Sequence, residues 1–149
     1  MRVEFFAAGM PATKGSMRAF VRGGRPIVTH DNARTKPWQA VIGYAATQAG
    51  VRLASGPIVV WAKFFFPRPS GHLGARGLKP SSPAHPLTRS SGDVDKLARA
   101  LLDALTGVAY ADDSQVVELR ASKGWSDEMR GAGVAVLIET QNDGEGSGA

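Results

Sequence analysis

Six apolar residues in one short run restrict the fold of this chain more than any other feature. Val94, Leu97, Ala98, Leu101, Leu102 and Leu105 recur at the i, i+3, i+4, i+7 spacing of a helix with one buried face. Such a stripe has to be covered by a sheet or a second helix. Asp93 follows Gly92, opens the run and can act as its N-cap, while Gly107 stops it. The opening is charged. Asp93 and Asp95 stand at i and i+2. Inside a helix that pair would point about 200° apart at roughly 3.6 residues per turn, but in an extended lead-in it points the same way. Asp93 is therefore expected before the helix and Asp95 in its first turn. Arg99 then stands one turn above Asp95 on the same face.

A second acidic pair, Asp112 and Asp113, falls in the tight connection from this helix to a strand over 116–124. That connection returns the chain to the helix start only if the strand runs antiparallel to the helix. Otherwise the two acidic clusters lie at opposite ends, about 20 Å apart at roughly 1.5 Å per residue. Completion of a carboxylate cluster across a dimer is a further option. Asp103, eight positions after Asp95, is expected to be structural and to pair with Arg99 at i+4. Taken alone, Asp93 is a helix cap and the Asp112–Asp113 pair is turn chemistry.

Charge is segregated along the 149 residues. Residues 1–92 hold thirteen Lys or Arg against two acids, a balance of +11, and residues 93–149 hold five against eleven, a balance of −6. From Asn32 to Gly92 there is no carboxylate. A basic body with its acids gathered around one locus suits a polyanion-binding protein that also holds cations. The chain has no cysteine, which removes disulfides and thiolate metal sites. It has no apolar run of roughly eighteen residues and no apolar leader of signal-peptide length, so no membrane contact is expected and the expectation is a soluble cytoplasmic protein.

The chain reads as one domain over 1–140 with a flexible tail at 141–149. Residues 3–7 form a strand. Residues 18–22 and 25–29 form a hairpin around Gly23-Gly24, whose arms carry Arg18, Arg22 and Arg25. Residues 33–49 form a helix capped by Asp31 or Asn32, with Trp38, Val41, Ile42, Ala45 and Ala46 as its apolar stripe and Trp38 in the core. Residues 57–66 are β-branched and aromatic and suit a central strand. Residues 67–92 carry five prolines and four glycines with Arg68, Arg76, Lys79 and Arg89, and are expected to be a mobile basic loop. His72 and His85 lie in it as exposed histidines, without the close partners a zinc site requires. Residues 116–124 alternate like a half-buried strand and pair as a hairpin with a last strand over 134–139. The fold class is α+β: a mixed or antiparallel sheet of about four to six strands with two main helices on one face.

The string from Asp93 to Val116 resembles the signature of the RusA family of Holliday-junction resolvases, common in phages and prophages. In that family a D-x-D-N-x-x-K segment opens a helix containing D-A-L, and D-D-x-Q-V follows. Here Asp93, Asp95, Asp103, Ala104, Leu105, Asp112, Asp113, Gln115 and Val116 match. Lys96 stands where the family usually has Asn, and Arg99 where it usually has Lys, so either can take the part of the family lysine. A fainter likeness covers Gly9 to Arg18 and includes Lys14.

The resemblance implies a metal-dependent endodeoxyribonuclease that resolves four-way junctions and related branched DNA by paired nicks, in recombination, repair or phage DNA processing. It implies Mg²⁺, with Mn²⁺ as a substitute, on Asp93, Asp95 and Asp113, with Asp112 secondary. Catalysis then falls to Asp93, Asp95 and Asp113 with Arg99 and Lys96 at the phosphate. Lys14, Arg18, Arg22, Arg68, Arg76, Lys79 and Arg89 are the DNA-contact candidates. A homodimer follows from the two-fold symmetry of a junction. The alternative is a catalytically inactive module that only binds branched DNA. A D-x-D glycosyltransferase is set aside, because its nucleotide-binding domain has no room in this length.

Overall fold

The computed structural model describes residues 1–15, 17–30 and 32–141, with the backbone alone at 17–20 and 28–30. The side chain of Arg18, the cap candidate Asp31 and the tail over 142–149 lie outside the described residues. The architecture is α+β, as the sequence indicates: two helices, one mixed four-stranded sheet and two small two-stranded sheets. No helix among the described residues is long and apolar enough to cross a membrane.

The main sheet is organised by β4 (Ile58–Phe66), a run apolar on both faces. Such a strand gains most with a neighbour on each edge, and β4 has them. The strand order is β1-β8-β4-β7, with β1 spanning Arg2–Ala8, β7 Val116–Trp125 and β8 Gly133–Thr140. β8 runs antiparallel to both β1 and β4, while β7 is parallel to β4. The expected hairpin between the last two strands does not form, because β4 lies between them. The residues explain this. Val134 to Ile138 is buried almost throughout, as an internal strand must be, whereas β7 is largely exposed and takes the edge. The first strand closes the other edge, and the Met1 ammonium donates to Thr140 Oγ1 at 2.7 Å.

Two helices cover one face of this sheet. Trp38, Ile42 and Ala46 of α1 (Thr35–Gln48) and Leu97, Leu101 and Leu105 of α2 (Val94–Leu105) enter one core with Ile58, Val60, Phe64 and Phe66 of β4. The helices also pack on each other. α1 starts two residues later than its sequence pattern suggests, with Arg34 as N-cap and no side-chain cap bond. Asn32 acts one step earlier, its Oδ1 accepting the Arg34 N–H at 3.0 Å. Trp38 is buried in the core as expected, with Nε1 unpaired.

β2 (Met17–Arg22) and β3 (Arg25–His30) form the hairpin around Gly23-Gly24. The proline-rich segment over 67–92 carries structure of its own. It holds a small hairpin, β5 (Leu73–Gly74) with β6 (Gly77–Leu78), and two short 3₁₀ turns. Trp125, at the end of β7, is its anchor. The indole N–H donates to Pro83 O at 3.0 Å, Arg68 stacks over the ring at 5.0 Å, and His72 meets its edge at 5.3 Å. His72 is thus half-buried rather than exposed. Together this segment and α2 make the crossover between the parallel strands β4 and β7.

Candidate active site

The acidic lead into α2 is built by a sharp backbone turn. Ser91 is buried, and its hydroxyl donates to Thr88 O at 2.7 Å. Gly92 follows at φ +79°, in the left-handed region where a side chain is strained. A Cβ there would also collide with the Thr13 methyl. The chain then straightens at Asp93 (φ −79°, ψ 138°), which is the N-cap of α2 by backbone geometry. Its carboxylate, however, makes no cap bond. It is 69% exposed and pairs with Lys96 Nζ at 3.5 Å. Asp95 lies in the first helical turn, exposed, and makes no hydrogen bond or ion pair among the described residues. An acidic side chain is well placed there against the positive end of the helix dipole. The predicted placement of the two carboxylates, one before the helix and one inside it, is the one observed.

The loop over 9–15 is laid along the same helix. The Lys14 N–H donates to Lys96 O at 3.1 Å, and Thr35 Oγ1 donates to Thr13 O at 2.6 Å. A Cβ on Gly15 (φ +112°) would come within 2.7 Å of the Arg99 guanidinium. The two stretches that carry the resemblance therefore share one surface, although most of the chain separates them. Lys14 spends its ammonium here. It contacts Asp103 Oδ2 at 2.7 Å, and Gln39 Nε2 donates to the same oxygen at 2.8 Å. The Lys14 hydrogen bond, reinforced by its charge and by Gln39 against the cost of burial, holds the Asp103 carboxyl below the usual aspartate range. The expected Asp103–Arg99 pair is replaced by this contact.

The second acidic pair is at the other end of α2. Tyr110, buried under that end, donates from its phenol to Leu102 O at 2.7 Å. Burial first, and then the charges of Asp113 and Asp103, push its pKa up. Asp112 caps a 3₁₀ turn over Asp113–Gln115, accepting the Ser114 N–H at 2.8 Å, and that bond lowers its pKa. Gln115 accepts from the Ala111 and Asp112 N–H groups and donates to Ala54 O (2.9 Å) and Gly56 O (3.1 Å). It pins the turn to the body. Asp113 is exposed.

β7 then runs back along the helix. What it returns to the helix start is not the acidic pair, which precedes the strand, but Lys123. Its Nζ donates to Gly92 O at 2.8 Å and Ser91 Oγ at 3.1 Å. Within one chain Asp93 and Asp95 are therefore separated from Asp112 and Asp113 by the length of a twelve-residue helix, about 18 Å at roughly 1.5 Å per residue. Among the described residues no group of three or more His, Asp or Glu converges as a metal site. Each pair remains usable. Mg²⁺ is commonly held by one or two carboxylates, with phosphate and water oxygens completing the shell. Asp93 and Asp95, both exposed and two positions apart, offer two such carboxylates.

Of the DNA-contact candidates, Arg22, Arg76, Lys79 and Arg89 are exposed. Arg68 is occupied with Trp125 and donates to Pro83 O at 3.1 Å, so its part is to hold the 67–92 segment. Lys123 and Ser91 were not among the sequence candidates. A signal for Lys123 existed: it continues the Leu119, Ala121 series, so a lysine occupies an inward step of β7 opposite fully buried Phe64.

Comparison with known proteins adds two findings. Residues 9–139 match the family model described as endodeoxyribonuclease RusA. A curated relative, the uncharacterized protein YqaN of Bacillus subtilis (strain 168), is 30% identical over 140 residues, covering 91% of this chain and 94% of its own length.

Proposed function

The chain belongs to the RusA endodeoxyribonuclease family, and from that premise we propose that it is a Mg²⁺-dependent nuclease that cuts four-way and related branched DNA by paired nicks as a homodimer. The observation that carries this reading is the lead into α2. Two exposed carboxylates, Asp93 and Asp95, stand there with Lys96 and Arg99 within about one turn.

In this reading Asp93 and Asp95 hold the metal ion, with Mn²⁺ as a substitute. When bound, the metal supplies an activated water and neutralises charge on the phosphate. Arg99 and Lys96 draw the phosphate to the carboxylates; Arg99 has the planar fork suited to two phosphate oxygens. Asp112 and Asp113 serve the same centre from a second copy. Turned end for end by a two-fold axis, one chain sets its helix start against the helix end of the other. Each centre then takes Asp93 and Asp95 from one chain and Asp113 of the partner subunit, with Asp112 of the partner subunit beside it. One dimer has two such centres, matching the two-fold symmetry of a junction.

The test is cleavage of a synthetic four-way junction by the wild-type chain and by Asp95→Asn. Wild type is expected to nick in Mg²⁺ and to stop in EDTA. Asp95→Asn should lose cleavage by at least about a hundredfold while binding the junction as well or better, because a charge that repels phosphate is gone. Near wild-type cutting by Asp95→Asn would refute the assignment. Tight binding with no cutting by wild type in either metal would favour a module that only binds.

A further inference from the structure

We infer that Lys123 is a positioning residue for the divalent-cation carboxylates. It acts from β7 through the Ser91–Gly92 turn, and the inference rests on the reading of Asp93 and Asp95 as metal ligands. Lys123 stands opposite Phe64, a fully buried side chain, on the helix-covered face of the sheet. An apolar side chain would fill this place without taking an ammonium partly out of water. The ammonium spends two of its three donors on a single turn, Gly92 O at 2.8 Å and Ser91 Oγ at 3.1 Å. Both acceptors govern the direction in which the chain enters α2. The Gly92 carbonyl belongs to the peptide group that leads into Asp93. Ser91 Oγ in turn donates to Thr88 O at 2.7 Å, so the lysine closes a chain of bonds across the turn.

From the other side the Thr13 methyl fills the space that a Cβ on Gly92 would need. The lead is thus clamped between β7 and the loop over 9–15. Asp93 has no cap bond and meets Lys96 only at 3.5 Å, and Asp95 has no partner among the described residues. The backbone that carries both is set by this clamp. Groups that orient metal ligands without touching the metal commonly change affinity or rate by about tenfold to a hundredfold when removed.

Lys123→Met and Lys123→Arg are compared with wild type as intact chains, on a four-way junction over a Mg²⁺ series. Lys123→Met is expected to bind the junction within about threefold of wild type, to cut at least about tenfold more slowly, and to require about fivefold more Mg²⁺ for half-maximal rate. Lys123→Arg keeps a cation and its donors and is expected to recover most of that loss. An unchanged Mg²⁺ midpoint and rate in folded Lys123→Met overturn the inference, even if the melting temperature has fallen. Should Lys123→Met fail to fold, Ser91→Ala removes one acceptor and keeps the ammonium. A raised Mg²⁺ midpoint there supports the role, and an unchanged one overturns it. A wild type that cuts nothing sinks the nuclease reading alone. Mn²⁺ broadening of the Asp93 to Asp95 amide signals then decides: broadening weakened in Lys123→Met supports the role, and equal or absent broadening in both proteins overturns it.

Discussion

Asp103 illustrates what a single carboxylate can and cannot disclose in advance. Helical spacing names its neighbours at three and four residues, which makes Arg99 the expected partner. The actual partner, Lys14, arrives on a loop from the far end of the chain, and no local pattern announces it. Asp93 and Asp95 were legible because their placement depends only on Gly92, the apolar stripe and helix geometry. Lys123 was legible only as an irregularity, a charge on an inward step. The Lys14–Asp103 contact makes a pH prediction. The Asp103 pKa is lowered in the folded chain, mainly by the Lys14 hydrogen bond. Its stabilisation is therefore present above the unfolded aspartate value of about 3.9 and is lost as pH falls through the lower folded value. Asp103 is 46% exposed, so solvent screening limits the contribution to about 0.5–1 kcal/mol. Asp103→Asn is expected to lower stability by that amount at pH 7. The difference from wild type should shrink as pH falls below the unfolded aspartate value. Urea unfolding of both proteins across this range checks it, and a gap that widens in acid would contradict the assignment.

Elements were easier to find than their neighbours. Both helices and the long strands could be read from periodicity, since burial of one face imposes a period of 3.6 or 2. Strand order could not, because sequence adjacency favours a hairpin between β7 and β8 while burial on both faces puts β4 and β8 side by side. The 67–92 segment has a composition that suggests a loop, yet Trp125 holds it from outside through contacts with Arg68, His72 and Pro83. Trp125→Ala removes a cation–π contact of about 0.5–1 kcal/mol and a hydrogen bond of about 1 kcal/mol. That is enough to raise opening of the segment about tenfold. Trypsin should then cut after Arg76 and Arg89 about tenfold faster while far-UV circular dichroism stays unchanged. Equal digestion of wild type and variant would show that the segment is held elsewhere.

At the scale of the whole molecule, the proposed centre is shared between chains, and complementation can reveal the sharing. A chain carrying Asp93→Asn and Asp95→Asn is dead by itself, and so is a chain carrying Asp113→Asn. Mixed and reassociated, they form a heterodimer in which one centre receives all its native carboxylates. Nicking of one strand should return in the mixture, without the symmetric second cut. Continued silence would refute the sharing of a centre between chains. Light scattering at micromolar concentration should report about twice the 15.7 kDa chain mass. Junction affinity should fall steeply with salt, and Arg76→Ala with Lys79→Ala should reduce the log–log salt slope by about two while leaving the fold intact. The order of strands also bears on how the protein is made. β8 lies between β1 and β4, so β1 has no partner in the main sheet until β8 has been made. Until then β4 keeps one bare edge and β1 keeps both. A nascent chain halted after β7 already contains every acidic residue of the proposed centre but has no closed sheet on which to hold them. The carboxylates of the proposed centre thereby gain their scaffold only once β8 has been made.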